Sequence, residues 1–270
     1  MSLWSRDRWV AVLSPERVAL VRRRPGRRTP PELHAQRSCA NPTSAAALEA
    51  LRTLLAAEDV GRGQLTMVLS SHFVQYLLVP WRAGLTRPSE MSAFAHICFE
   101  ETFGGRAGDR TVLVAGERAG SARVAAALDS AWLQALQSAA AASALRLVSI
   151  TPHLCAVFDR ARRRLAARDF LLLVAEPSRS CVLVAGDGHW RSLRCTAAPA
   201  RRLELAQLVE REAQLCGLAD EGMPAVFVHA PGQERLELPA CQGVLPQRLE
   251  LPGARPGVVD ALLGMAEAVA

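Results

Sequence analysis

The side chains best suited to chemistry are histidines and serines, and their spacing matches no common catalytic or metal-binding pattern. The chain has neither an H-x-x-x-H nor an H-E-x-x-H pair, so two zinc ligands on one helix face are missing. The segment "LSSHF", at residues 69–73, lacks the G-x-S-x-G turn that exposes the nucleophile of a serine hydrolase. The six histidines are His34, His72, His96, His153, His189 and His229. We expect them to be structural or exposed.

Cysteines and acidic residues give no site either. Seven cysteines are scattered without a C-x-x-C pair, mostly within apolar runs. This pattern predicts free thiols in a reducing compartment, with neither a disulfide framework nor a zinc site. Glu100 and Glu101 are adjacent, and Glu210 and Glu212 are two residues apart, so neither pair shares a helix face. The sequence therefore predicts no catalytic residue and no metal site.

Composition indicates a folded protein with a basic surface. Half of the 270 residues are apolar, which excludes a disordered chain. All 32 positively charged residues are arginine, and the net charge is +6. That charge permits an anionic partner, although a solvated basic surface explains it equally well. No apolar run reaches the roughly 20 residues of a membrane helix, and charge interrupts the N-terminal apolar run, unlike a signal peptide. We expect a soluble protein that reaches membranes only through a partner.

Hydrophobic patterning predicts a repeated order of elements. Apolar runs flank Ser14-Pro15-Glu16, which predicts a hairpin over residues 9–22, and a second hairpin is predicted over residues 170–183. A helix and a strand follow each hairpin, so the chain reads as a two-lobed α/β protein with a boundary near residue 150. The first helix, capped by Thr43 or Ser44, has a core-facing stripe of Ala47, Leu48, Leu51, Leu54 and Leu55. The helix over residues 201–218 has a second core-facing stripe, formed by Leu203, Leu205, Leu208, Val209, Ala213 and Leu215.

Between the hairpins, residues 69–81, "LSSHFVQYLLVPW", are interpreted as one buried strand that ends at Pro80-Trp81. A helix from Ser89 to about residue 103 follows, capped by Ser89 and closed by Gly104. A further helix is predicted to begin with Thr151 as its cap and Pro152 as its first residue. The chain is expected to end in a helix over residues 257–270.

The segment "SSHFVQYLLVPW" followed by "EMSAFAHICFEETFG", with its acidic pair Glu100-Glu101, resembles a segment of two related groups of platform proteins. These are PilM of the type IV pilus and the cytoplasmic domain of GspL of type II secretion. The later run "ARVAAALDSAWLQALQSAAAASALRLVSITPHLCAV" resembles them too. The resemblance covers nearly the whole chain through hydropathy and element order. It implies a two-lobed, actin-like (duplicated ribonuclease-H-like) α/β fold with lobes at 1–150 and 151–270 and a small inserted subdomain at about 65–125.

The resemblance also implies where a nucleotide would bind. Actin-like ATPases hold phosphates on two hairpin turns that each carry Asp-x-Gly, because the aspartates position the metal and the glycines admit the phosphates. Alignment of the first hairpin places Val12 at the aspartate and Ser14 at the glycine, with Ala19 where PilM-type proteins carry a lysine. The second hairpin places Val174 at the aspartate and Glu176 at the glycine.

These five positions predict a degenerate phosphate site. The carboxylate of Glu176 would repel a phosphate. Where a Gly-Gly loop would meet adenosine, the chain reads "HAPG" at residues 229–232. We therefore expect no ATPase activity, no cofactor and no metal.

The family implies a non-catalytic cytoplasmic scaffold, peripheral to the inner membrane, in a type IV pilus or type II secretion-like assembly platform. The implied partners are an inner-membrane PilN-like or GspM-like protein, whose extended tail docks in a groove of the first lobe, and a secretion or pilus motor ATPase. A basic segment is a candidate for steering that tail or an anionic membrane surface, with a solvated loop as the alternative. Its arginines are Arg22, Arg23, Arg24, Arg27 and Arg28.

Two other functions stay open from the sequence. One is an active ATP-binding enzyme of the actin-like or sugar-kinase-like type, with its ligands at other positions. The other is a nucleic-acid-binding protein that uses its arginines.

Overall fold

The computed structural model describes residues 7–24, 31–57, 60–85, 87–165, 169–197, 201–218, 222–233, 235–254 and 257–269. Within these ranges the chain forms two five-stranded sheets and one three-stranded sheet, with helices packed on their faces. None of the helices in these ranges has the length and apolar character needed to cross a membrane.

The first sheet is built on the hairpin predicted around Ser14. Its strands β1 (Asp7–Leu13) and β2 (Arg17–Arg23) pair antiparallel, and the Ser14 N–H closes the turn by donating to the Arg17 carbonyl at 3.1 Å. The other strands are β3 (Glu32–Ser38), β4 (Gly63–Leu69) and β8 (Leu145–Pro152). The order is β3-β2-β1-β4-β8, with β1, β4 and β8 parallel. The sequence did not predict β3, because this largely exposed edge strand owes its conformation to pairing with β2.

Helices cover both faces of the first sheet. On one face lie α1 (Ser44–Leu55) and α3 (Ser130–Ala141). Thr43 caps α1 by accepting from the Ala46 N–H at 3.3 Å, and the predicted apolar stripe is buried, as expected. The opposite face packs against the C-terminal helix α6 (Ala261–Ala266), which is shorter than predicted because Asp260 caps it. The end of the chain thus returns to the first sheet.

The second sheet repeats the arrangement of the first. Its strands are β9 (Phe170–Ala175), β10 (Ser180–Gly186), β11 (His189–Thr196), β12 (Ala225–His229) and β13 (Gln247–Arg248). Their order is β11-β10-β9-β12-β13, with β9, β10 and β11 antiparallel and β9, β12 and β13 parallel. In both sheets an antiparallel three-stranded unit is extended by parallel strands, so the predicted duplicated α/β fold is confirmed.

Alternation along β9 divides its side chains between two cores. Leu171 and Leu173 pack towards α5 (Arg202–Leu215), whereas Leu172 belongs to the central core that includes α4 (His153–Leu165). The predicted stripe of α5 is right at its four inner positions and wrong at its ends. Leu203 is 73% exposed and Leu215 is 56% exposed, and they lie in the first and last turns of the helix.

A third sheet is formed by β5 (Gln75–Val79), β6 (Arg110–Val114) and β7 (Arg123–Asp129), in the order β5-β7-β6. The helix α2 (Pro88–Phe103) covers it through buried residues such as Phe99. Its strands β5 and β7 contact β11 of the second sheet, and beside them the Trp190 Nε1–H donates to Glu117, in the loop after β6, at 2.7 Å. The bounds 1–150, about 65–125 and 151–270 stay predictions.

Three predicted boundaries between residues 69 and 153 are wrong. Residues 69–81 do not form one strand, because β4 of the first sheet ends at Leu69 and β5 of the third sheet begins at Gln75. Between them the chain turns, and the Phe73 N–H donates to the Ser70 carbonyl at 3.0 Å. The predicted cap Ser89 lies inside α2, which begins at residue 88 after the N-cap Arg87. Glu90 supports this start by accepting from the Arg87 N–H at 3.1 Å. Residues 151 and 152 end β8 by pairing with β4, and α4 begins at residue 153.

One cysteine pair also departs from the prediction. Cys181 and Cys195 are direct partners on β10 and β11, with Cα atoms 4.1 Å apart, and they form a disulfide bond. The expectation that no cysteines pair is wrong here, because strand register brings together residues whose sequence spacing gives no sign of it. The remaining cysteines are free: Cys39, Cys98, Cys155, Cys216 and Cys241.

Candidate functional site

The turns of the two hairpins face each other across the cleft between the larger sheets. A cavity of about 150 Å³ lies between them. It is lined by residues 14–17 of the first turn, residues 176–178 of the second, Ser70 and Leu262. Both turns have an X-Pro-X-Arg sequence, and in both the first residue donates its N–H to the carbonyl of the arginine, at 3.1 and 2.8 Å. Ser14 and Glu176 therefore occupy equivalent positions.

The first turn is satisfied by its own atoms. The Ser14 hydroxyl donates to the Arg17 carbonyl at 2.7 Å. Val12 and Ala19 are directly paired across the hairpin and fully buried against α6. None of these three predicted phosphate-loop positions presents a charged ligand to the cleft.

The second turn reaches across the cleft. Val174 is buried in the central core, and Glu176, only 1% exposed, points its carboxylate at groups from two other parts of the chain. The Ser71 N–H donates to both carboxylate oxygens, at 3.0 and 3.1 Å, and the Ser70 hydroxyl donates to Oε2. The Nδ1–H of His153 donates to Oε1 at 3.0 Å. We call Ser70, Ser71 and His153 the cradle.

The ends of three strands bring this site together, two from the first sheet and one from the second. Ser70 and Ser71 follow β4, His153 follows β8, and Glu176 follows β9. Of these four residues, the sequence placed only Glu176 at the cleft. The cradle residues were missed, although polar residues directly after adjacent parallel strands are a usable signal, because such strand ends meet at one edge of a sheet.

Glu176 is ionised in this setting. Burial alone would raise the pKa of its carboxyl, but the hydrogen bond and charge of His153, followed by the hydrogen bonds of Ser70 and Ser71, lower that pKa below its ordinary value. The ring of His229 lies 5.5 Å from that of His153. Burial and then the charge of His153 lower the pKa of His229 to about 3, so His229 is neutral.

The arrangement is unsuited to nucleophilic catalysis. In a serine triad the histidine lies between the hydroxyl and the acid, whereas here Glu176 lies between Ser70 and His153. Cys155 is nearby in the sequence, but burial, with Asp159 as a second cause, raises the pKa of its thiol to about 12. In the part of the chain that the structure describes, no group of three or more His, Cys, Asp or Glu side chains is placed to hold a metal ion.

The predicted partner-binding arginines have different environments. Arg22 lies on β2, where its Nε–H donates to Asp7 at 2.9 Å and its guanidinium lies 5.4 Å from the centre of the Trp9 ring. Arg23 is half-buried at the end of the same strand, and Arg24 is exposed just after it. Arg27 and Arg28 lie outside the described residues.

The fold is similar to that of known proteins with little sequence identity. The cytoplasmic domain of EpsL, an inner membrane component of the type II secretion system of Vibrio cholerae, matches over 98% of this chain and 95% of that one, with a TM-score of 0.58 and 14% identity. A chain of the PilM–PilN type IV pilus biogenesis complex matches over 96% of both chains, with a TM-score of 0.63 and 16% identity.

A protein of unknown function with an actin-like ATPase fold, from Bacteroides thetaiotaomicron, matches over 86% of this chain and 85% of that one, with a TM-score of 0.55 and 10% identity. No protein-family model matches the sequence, and neither does any curated protein. The resemblance noted from the sequence is borne out at the level of the fold, which is actin-like.

Proposed function

We propose that this protein is a non-catalytic scaffold on the cytoplasmic face of an inner-membrane assembly platform of the type IV pilus or type II secretion kind. It would bind a PilN-like or GspM-like membrane protein and a secretion or pilus motor ATPase. We also propose that its two lobes span residues 1–150 and 151–270. The likeness in fold to the EpsL domain and to a chain of the PilM–PilN complex supports this proposal, because it extends over nearly the full length of all three chains.

The observation that carries the non-catalytic part is the buried carboxylate of Glu176. It uses the hydrogen-bond donors that converge in the cleft, and the cavity beside it measures about 150 Å³. Pockets for drug-sized ligands measure roughly 300–1,000 Å³. The phosphates of a nucleoside triphosphate would therefore need both the displacement of a buried anion and a larger space between the hairpin turns.

Thermal unfolding with magnesium and ATP tests this part. We expect no change in Tm at millimolar Mg-ATP relative to magnesium alone, because Glu176 occupies the phosphate position. A ligand that did bind would stabilise the fold by about 2.7 kcal/mol at a hundred times its Kd. A dissociation constant in the micromolar range by calorimetry would instead favour the ATP-binding enzyme.

For the partner, we propose that its extended tail docks between the C-terminal ends of α1 and α3. A groove of about 330 Å³ lies there in the first lobe. Its floor is apolar at Leu55 and Ala139, and its rim is polar at Arg52 and Ser138. An apolar floor with a polar rim offers a place for the apolar side chains of such a tail.

Crosslinking in bacterial membranes tests the docking. The tagged protein is expected to capture an inner-membrane protein, and Ala142→Arg, which places a bulky cation in the groove, should abolish the capture. Ala141→Arg is the matched control, because Ala141 is exposed on α3 but does not line the groove. Equal capture by both variants would exclude this groove, and recovery of the protein with no inner-membrane component would leave the scaffold proposal without support.

A further inference from the structure

The contact between Glu176 and the cradle joins distant parts of the chain. Glu176 lies 105 and 106 residues from its two serine donors and 23 residues from His153. The two serine donors directly follow β4 of the first sheet and His153 begins α4, whereas Glu176 directly follows β9 of the second sheet. The carboxylate therefore holds the two sheets together at the bottom of the cleft.

The donors of the cradle have the chemistry of an oxyanion site. A backbone N–H, a hydroxyl and an imidazole converge on one carboxylate, and such donors bind carboxylate and phosphate oxygens strongly in buried surroundings. A second hydrogen bond fixes the position of the Ser70 hydroxyl, because its oxygen accepts from the His72 N–H at 3.1 Å. The turn after β4 thus fixes this donor independently of Glu176.

We propose that the cradle is an oxyanion-binding site that the protein fills with its own carboxylate. Glu176 acts as a tethered ligand that closes the cleft, in the role that a bound phosphate would otherwise have. This inference concerns the isolated chain and does not depend on which partner the scaffold binds.

The proposal predicts that removal of the tethered carboxylate makes the site available to a free oxyanion. Ser70 and Glu176 both line the cavity between the hairpin turns, so the space vacated by Glu176→Ala would join that cavity. Glu176 is not among the residues with a positive φ, so alanine fits its backbone. Inorganic phosphate is the probe, since it is small and carries several acceptor oxygens.

The experiment compares Tm in sodium phosphate and in sodium chloride of equal ionic strength. Phosphate stabilises proteins generally, so the measured quantity is the phosphate effect on each variant minus that on the wild type. For Glu176→Ala we expect a saturable rise of about 5–10 °C at a hundred times the dissociation constant. Ser14→Ala, at the equivalent position of the first turn, should show no difference from the wild type. Ser70→Ala combined with Glu176→Ala should lose most of the rise.

A phosphate effect on Glu176→Ala equal to that on the wild type would overturn the proposal, as would an equal effect on Ser14→Ala. If Glu176→Ala does not fold in chloride, folding restored by phosphate supports the proposal, and failure to fold in both salts counts against it. None of these outcomes depends on a membrane partner, so they are separate from a failure of the crosslinking experiment.

Discussion

The two hairpin turns have the same backbone and opposite roles. Each is a four-residue X-Pro-X-Arg turn closed by one N–H to carbonyl bond. In the first, Ser14 bonds within the turn, whereas in the second, Glu176 bonds with residues of the other sheet and of α4. The comparison teaches that one side chain at a duplicated position decides whether a turn closes on itself or connects the lobes.

The largest effect is expected from Glu176→Ala. Removing this buried carboxylate leaves its three donors buried without an acceptor, and each unpaired donor typically costs about 1–3 kcal/mol, so a total of about 3–5 kcal/mol is expected. We expect the free energy of unfolding to fall by about that amount in urea denaturation. Glu16→Ala removes an exposed acid from the first turn and should change the free energy of unfolding by less than about 0.5 kcal/mol. A loss below about 1 kcal/mol for Glu176→Ala would show that the two turns contribute alike.

The second prediction concerns pH and the variant Glu176→Gln. The pKa of Glu176 is lower in the folded protein than in the unfolded chain, so its contribution to stability is fully present above the unfolded value of 4.5. Below that pH the unfolded chain takes up the proton first, and the contribution is lost as the pH falls through the folded pKa. Denaturation at pH values from 7 to 3 should therefore show the stability advantage of the wild type over Glu176→Gln shrinking below about pH 4.5.

Other titratable groups face this site and must be held constant. His153 contacts the carboxylate, Tyr76 lies near enough to be affected by its charge, and Arg179 donates to the Ser71 carbonyl at 3.5 Å. All of them are present in both proteins, so taking the difference between the two cancels most of their titration. A difference that stays constant down to pH 3 would contradict a lowered pKa of Glu176 in the folded state, and one that grows as the pH falls would mean that this pKa is raised.

The third prediction compares the two serines. Ser70→Ala removes a hydrogen bond to a charged group, worth about 1.5–3 kcal/mol, and Ser14→Ala removes a neutral one, worth about 0.5–1.5 kcal/mol. We expect a larger loss of unfolding free energy for Ser70→Ala. Combined with Glu176→Ala, the Ser70 substitution should cost much less than alone, whereas Ser14→Ala should keep its full cost. Additive losses at residues 70 and 176 would mean that the two side chains do not act together.

Sequence reasoning found the duplicated hairpins because turn chemistry and apolar runs are local signals. It placed Ser14 and Glu176 at equivalent positions and expected Glu176 to disfavour phosphate. It missed the cradle because the hydrogen bonds of Ser70, Ser71 and His153 depend on how the sheets meet. It also interpreted residues 69–81 as one strand, since nothing local distinguishes a strand that continues from one that turns into a second sheet.

The smallest effects are expected at the far end of the first hairpin, where Arg22 and Arg24 differ. Arg22 pairs with Asp7 with about a third of its side chain exposed, and such pairs contribute about 0–1 kcal/mol. Arg22→Gln should therefore lower the unfolding free energy by less than about 1 kcal/mol and leave binding to anionic vesicles unchanged, because its charge is already paired. Arg24→Gln should leave stability unchanged and weaken vesicle binding by about 1 kcal/mol if the basic segment contacts membranes. Sedimentation with vesicles containing phosphatidylserine measures the binding of each variant. Equal binding by the two variants and the wild type would exclude these arginines from the proposed membrane contact.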